Sequence, residues 1–164
     1  MEKKPDLSKI ELILMDLDGC LTTGHIIYMS GGEEIKMFHT HDGFGITRGR
    51  ELGLKFAVIS GMSSPVNKRR TDKLGIHHIY ENIKDKLIPY EELKNKYKLK
   101  KENIAYIGDD EFDIPLLKTV GFSCCPADAI DVVKKHVHYV CKRDGGEGAV
   151  REMIDKVLRA KKVI

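Results

Sequence analysis

Five short apolar runs punctuate the chain: Ile10 to Met15, Lys55 to Ile59, His78 to Tyr80, Asn103 to Ile107 and Val137 to Val140. Each is short and rich in β-branched or aliphatic residues, so each predicts a strand. The intervals leave room for a helix, and strands alternating with helices predict a parallel sheet covered on both faces. Helix signals fall in those intervals. Ser64 followed by Pro65 reads as an N-cap and first helical position, and Gly75 closes that helix. Near the C-terminus Val150, Met153, Ile154, Val157 and Leu158 keep the i, i+3, i+4, i+7, i+8 spacing of one apolar helical face. The expectation is an α/β fold built on a doubly wound, Rossmann-like parallel sheet.

One segment breaks the alternation. His25 to Met29 and Glu34 to Phe38 are strand-like runs joined by Ser30-Gly31-Gly32-Glu33, which predicts a β-hairpin inserted over about 25–38. It is too small to be a cap domain. With no internal repeat and no Pro/Gly/Ser linker, residues 1–164 are expected to form one domain, with a C-terminal tail and helix at about 144–160.

Composition narrows the class. The 164 residues are 41% hydrophobic and 32% charged, with 15 Gly and 5 Pro, which excludes collagen-like and wholly disordered chains. No apolar run approaches the ~20 residues of a membrane span. The charged start, Met-Glu-Lys-Lys-Pro-Asp, leads into no signal-like apolar stretch. Cys20, Cys124, Cys125 and Cys141 form no C-x-x-C pair and read as buried free thiols of a cytoplasmic protein. The net charge of +3 comes from scattered lysines, a solvated face, and an aromatic content of 7% argues against a nucleic-acid partner.

Ligands of open α/β sheets bind at the carboxyl ends of the strands, so the polar residues there are read together. The first run ends in Asp16-Leu17-Asp18-Gly19, the second in Ser60-Gly61 and the fourth in Gly108-Asp109-Asp110-Glu111-Phe112-Asp113, while the third leads to Lys86. Any one Asp there is most simply a turn former. Jointly they gather several carboxylates, a hydroxyl and an ammonium on one edge, a concentration of like charge that calls for a cation such as Mg2+. Alternation along an extended segment lets Asp16 and Asp18 face one pocket while Leu17 enters the core. Asp16 is then placed as a nucleophile and Asp18 as general acid, then base. A phosphate monoester suits the rest: Lys86 and Mg2+ neutralise phosphoryl charge, Ser60 donates a hydrogen bond, and Gly19 admits backbone amides to its oxygens.

These residues carry a resemblance. Asp16-Leu17-Asp18-Gly19-Cys20-Leu21-Thr22, Val58-Ile59-Ser60-Gly61, Lys86 and Gly108-Asp109-Asp110-x-x-Asp113 resemble, in order, the four motifs of the haloacid-dehalogenase-like phosphatases. The hairpin with Ile27-Tyr28-Met29 and Gly32-Glu33-Glu34-Ile35-Lys36, the segment His41-Asp42-Gly43-Phe44-Gly45-Ile46 and the tail Gly145-Gly146-Glu147-Gly148-Ala149-Val150-Arg151-Glu152 are similar to the capless 3-deoxy-D-manno-octulosonate 8-phosphate phosphatases. The likeness runs from about Ile10 to Leu158. It implies an aspartyl-phosphate on Asp16, acid/base work by Asp18, and phosphate held by Ser60 and Lys86. Mg2+ would be bound by Asp16, Asp109 and the Asp18 carbonyl, with Asp110 and Asp113 supporting. It further implies sugar-acid contacts at His39, Thr40, His41, Asp42, Gly43, Met62 and Arg70, and a homotetramer in which hairpins meet and a neighbouring subunit caps each site.

Three positions depart from that pattern: His41 stands where these enzymes commonly carry Arg, Met62 where they carry Arg, and Thr23 where they carry Asp. The first two remove cations that would face a sugar carboxylate. A nonulosonate 9-phosphate is the alternative substrate, though those enzymes carry Glu at the Met62 position. A receiver-like signalling domain is disfavoured by Asp18, since a long-lived acyl phosphate should not have a base two residues away. Intact Asp16, Asp18, Lys86 and Asp109 argue against a non-catalytic partner domain, and the lack of a water-excluding cap argues against a phosphomutase. His39 and His41, expected to alternate on a strand, lack a third ligand for a transition metal. Cys20 has acidic neighbours, which predicts an inert thiol.

Overall fold

A computed structural model of the chain describes residues 4–164; the first three residues of the charged N-terminal segment lie outside it. The chain runs through β1 (Leu12–Met15), a hairpin of β2 (Ile27–Tyr28) and β3 (Glu34–Ile35), α1 (Thr40–Glu51), β4 (Lys55–Ile59), α2 (Pro65–Lys73) and β5 (His78–Tyr80). It continues through α3 (Leu87–Lys96), β6 (Ile104–Ile107), α4 (Ile114–Leu117), β7 (Phe122–Cys125), α5 (Asp131–Lys134), β8 (Tyr139–Val140) and α6 (Ala149–Ala160). The six long-range strands pair in the order β5-β4-β1-β6-β7-β8, all parallel, and β2 and β3 form a separate antiparallel pair. The expected doubly wound α/β sheet is therefore present.

Alternation along β1 explains why both faces are covered. Ile13 and Met15 point into one core with residues of α1 and α6, while Leu12 and Leu14 point into another with Tyr90 and Leu93 of α3, Leu116 and Leu117 of α4 and Val133 of α5. The predicted stripe on α6 is buried throughout, from Ala149 and Val150 to Val157 and Leu158. At about 1.5–3 kcal/mol per fully buried aliphatic side chain, that stripe alone justifies the helix. Ser64 caps α2 as predicted, its hydroxyl accepting from the Val66 amide with Pro65 in the first turn.

Three local expectations are corrected. Phe122–Cys125 is a fully buried strand where the sequence reading placed none. Its short Phe-Ser-Cys-Cys run lacks β-branched residues, and it is the ladders with β6 and β8 that make it a strand. Of Val137 to Val140, only Tyr139–Val140 pairs. His39 and His41 do not alternate on a strand. His39 is the N-cap of α1, its Nδ1 accepting from the His41 amide at 3.1 Å, and this local side-chain bond starts the helix. The hairpin is present, but only two residues per strand pair, Ile27 with Ile35 and Tyr28 with Glu34.

The chain goes from β1 to its neighbour β4 on one side, and from β6 to β7 on the other. The crevice at the carboxyl ends of β1 and β6 is thus the switch point where such sheets bind ligands.

Candidate active site

Asp16 follows β1 directly, its amide donating to the Ile107 carbonyl at 3.0 Å, so the parallel ladder carries it to the crevice floor. Beyond it the chain winds tightly: the amides of Cys20, Leu21 and Thr22 all donate to the Leu17 carbonyl at 2.9–3.3 Å. Leu17 enters the core, as expected, with Asp16 and Asp18 on either side of it. Gly19 adopts φ +85°, and a β-carbon there would collide with the Asp109 carboxylate. Gly19 is therefore required by the close approach of Asp109, a reason beyond the one read from sequence.

Lys86 stands at the start of α3 with its ammonium fully enclosed. Nζ lies 2.8 Å from Asp16 Oδ1 and 2.6 Å from Asp113 Oδ1, and donates to the Tyr106 hydroxyl at 3.0 Å. Its three protons thus meet three acceptors. Tyr106, on β6, donates in turn to Asp113 Oδ1 at 2.5 Å, while Asp113 Oδ2 accepts from the Asp109 and Asp110 amides at 2.9 and 3.1 Å. Asp113 therefore fixes both the ammonium and the loop that carries Asp109. Burial opposes a charge on Lys86, yet Asp16 and Asp113 outweigh it and hold the ammonium above its ordinary value.

The carboxylates carry the opposite signal. Burial, only partly offset by Lys86, raises Asp16 to about 6. Burial and then repulsion from Asp16 and Asp113 push Asp109 up to about 8. One lysine does not balance the buried Asp16 and Asp113 with the half-buried Asp109, which is the electrostatic signature of a cation site. Ligand atoms of Asp16, Asp109 and Cys20 lie within 4.8 Å of one another. Burial, and then Asp109, pushes the Cys20 thiol well up, so it is inert as predicted and the available donors are carboxylate oxygens. Such hard oxygens fit Mg2+.

Asp18 is partly exposed and held from outside the first loop. Lys36 Nζ lies 2.9 Å from each carboxylate oxygen, and the Thr22 hydroxyl approaches Oδ1 at 3.4 Å. Ser60 is buried after β4, its hydroxyl accepting from the Met62 amide at 3.2 Å, and Met62 itself is exposed. Asp110 caps the turn Glu111–Asp113. Phe112 is exposed, with its ring centroid 4.5 Å from Lys86 Nζ.

The remaining sequence-predicted residues gather at the start of α1. Thr40 and His41 are exposed and His39 half-buried. Asp42 is buried, its Oδ1 accepting from the Arg151 amide at 2.7 Å, so it ties α1 to the first turn of α6. Gly43 packs against Arg70, whose Nη2 a β-carbon there would meet at 2.6 Å. Arg70 donates to the His39 carbonyl at 3.4 Å and lies over the Phe38 ring. The tail closes on the first loop: the Gly146 amide donates to the Cys20 carbonyl at 2.9 Å. Lys36, Asn67 and Tyr106 were missed from sequence. For Lys36 alternation says only that it lies opposite Ile35 and Met37; that the lysine face is the one turned inward is seen only in the structure.

Comparisons with known proteins agree with this geometry. Residues 62–154 match the haloacid dehalogenase-like hydrolase family. The chain is 38% identical over 151 residues to the 3-deoxy-D-manno-octulosonate 8-phosphate phosphatase KdsC of Escherichia coli K12, across 92% of this chain and 80% of that protein. It belongs to the haloacid dehalogenase-like 3-deoxy-D-manno-octulosonate 8-phosphate phosphatases. The Yersinia pestis member is 39% identical over 153 residues, covering 93% of this chain and 82% of that protein. A Yersinia pestis phosphatase crystal structure superposes with a TM-score of 0.94 at 38% identity, covering 96% of this chain and 85% of that one. The Moraxella catarrhalis phosphatase, described in complex with magnesium ion, phosphate ion and KDO, gives 0.93 at 36% identity, covering 96% and 90%. Like other haloacid dehalogenase-like phosphatases, this chain is a hydrolase, and Mg2+ is its cofactor. Among the described residues no helix is long and apolar enough to cross a membrane.

Proposed function

We propose that this phosphatase hydrolyses 3-deoxy-D-manno-octulosonate 8-phosphate to 3-deoxy-D-manno-octulosonate and phosphate, a step toward lipopolysaccharide. The observation that carries the reading is the Lys86 ammonium 2.8 Å from the buried Asp16 carboxylate, at the switch point of the sheet. A carboxylate nucleophile needs its anionic substrate neutralised as it attacks, and that ammonium lies beside the reacting oxygen.

In the first step an Asp16 oxygen attacks phosphorus and the ester P–O bond breaks; the departing sugar oxygen takes the proton of the Asp18 carboxyl. In the second, Asp18 removes a proton from water, whose oxygen attacks the aspartyl-phosphate, and the bond from phosphorus to Asp16 breaks to release phosphate. Lys86 supplies positive charge beside the phosphoryl oxygens, Ser60 donates to one of them, Gly19 leaves room beside them, and Asp113 with Asp110 keeps the loop of Asp109 in place. The Asp16 and Asp109 carboxylates, with the Asp18 carbonyl, would hold Mg2+, which when bound neutralises charge on the transferring group.

The sugar acid lies over the first turn of α1. His39, Thr40 and His41 supply donors there, with Met62 and Arg70 across from them, while buried Asp42 and Gly43 shape that turn from within. The hairpin exposes Ile27, Tyr28, Ile35 and Met37, Tyr28 by 70%, which a lone ribbon leaves in water. We read it as the centre of a homotetramer in which a neighbour covers each site. Four buried free thiols suit the reducing cytoplasm.

A panel of sugar phosphates assayed for released phosphate tests the substrate. The eight-carbon acid phosphate is expected to give the highest kcat/KM; preference for a nine-carbon acid phosphate or a neutral sugar phosphate overturns the assignment.

A further inference from the structure

The geometry points to Lys36 of the hairpin as a positioning residue that aims the Asp18 carboxylate at the leaving-group oxygen, an inference that rests on the acid/base role of Asp18 proposed above. Lys36 follows β3, and its side chain is fully enclosed while its neighbours Ile35 and Met37 face outward. Enclosing an ammonium is costly unless every proton finds an acceptor. Here Nζ lies 2.9 Å from both oxygens of Asp18, donates to Asn67 Oδ1 at 3.0 Å and stands 3.5 Å from Glu34 Oε1.

Asn67 is itself pinned. It is fully buried, its Nδ2 donating to Glu81 Oε1 at 3.0 Å and to the Met62 carbonyl at 3.4 Å, and Glu81 also accepts from the Ser64 amide at 3.1 Å. A continuous polar chain therefore runs from the start of α2 and the loop after β5, through Asn67 and Lys36, to Asp18. Among the described residues, the other side-chain bond to that carboxylate is the long 3.4 Å contact from Thr22. With Lys36 removed, Asp18 is free to rotate about its side-chain torsions, and proton transfer falls steeply with misplacement. The hairpin thus serves the chemistry through its inner face as well as presenting an apolar outer one.

The test compares Lys36→Met and Lys36→Arg with wild type and Asp18→Asn on two substrates, 3-deoxy-D-manno-octulosonate 8-phosphate and p-nitrophenyl phosphate, with thermal melts on each variant. The sugar alkoxide needs a proton to leave and p-nitrophenolate does not. Lys36→Met should lower kcat on the sugar phosphate by about 10²-fold, the size of a lost acid/base contribution, with KM little changed. Lys36→Arg should recover most of it. On p-nitrophenyl phosphate the same Met variant should release a first equivalent of nitrophenolate per site at near wild-type rate and then stall, because the aspartyl-phosphate still needs an aimed base. Equal losses on both substrates without a burst mean that Lys36 only holds the fold together, and a raised KM at unchanged kcat means that it binds substrate; either overturns the inference. Normal activity of Lys36→Met beside an impaired Asp18→Asn overturns it alone, whereas normal activity of Asp18→Asn overturns the acid/base assignment itself.

Discussion

Gly19 and Asp109 share a space that admits no third atom: a β-carbon on Gly19 would collide with the Asp109 carboxylate. The two residues are ninety positions apart, yet the tight turn after β1 and the loop after β6 meet across the switch point with no room to spare. At φ +85° any other residue is also strained, by about 1–3 kcal/mol. Gly19→Ala should lower stability in denaturant unfolding by that amount and abolish most phosphate release, since Asp109 must swing away. Wild-type values for both would show that the loops yield without cost.

Tyr106 completes the buried anchor of Lys86, accepting one of its protons and donating to Asp113. Tyr106→Phe leaves a buried donor without its partner, at a cost of about 1–3 kcal/mol. We expect a lower melting temperature and reduced kcat in that variant. Unchanged melting would place the third Lys86 proton on water instead.

Asp18→Asn keeps shape and removes proton transfer. The expected result is a fall in kcat of at least about 10²-fold in a protein that still unfolds cooperatively, at a lower melting temperature because enclosed Lys36 loses its charged partner. Steady-state phosphate release decides it, and near-normal turnover would remove Asp18 from the chemistry.

Burial, with repulsion from Asp113 on Asp16 and from Asp16 and Asp113 on Asp109, holds the two carboxyls above the ordinary range, at about 6 and about 8. A cation that relieves this repulsion binds the folded state preferentially. Adding Mg2+ should therefore raise the melting temperature, by about 2.7 kcal/mol of stability at a hundredfold excess over Kd, and exhaustive chelation should abolish activity. Full turnover in chelator would exclude the proposed ligands.

Tyr28 and Ile35 stand exposed on opposite strands of the hairpin. On the tetramer proposed above, changing both to Lys should reduce light-scattering mass to that of a monomer and lower activity together, since the proposed neighbouring cover would be lost. A fully active monomer would separate the hairpin from assembly.

What the sequence determined by itself was whatever depends on neighbours along the chain. The Asp16-Leu17-Asp18 alternation, the Ser64-Pro65 cap and the apolar stripe of α6 follow from local geometry, and the carboxyl-end rule for α/β sheets then gathered Lys86 and Asp109 beside Asp16. Tertiary structure decided whatever depends on distant partners. Phe122–Cys125 is a strand because β6 and β8 flank it, His39 opens a helix because its own ring caps the His41 amide, and Asp42 turns inward to the Arg151 amide 109 residues away. Lys36 is the clearest case, since an ammonium can be enclosed only where acceptors already wait, and its acceptors, Asp18 and Asn67, come from two other parts of the chain.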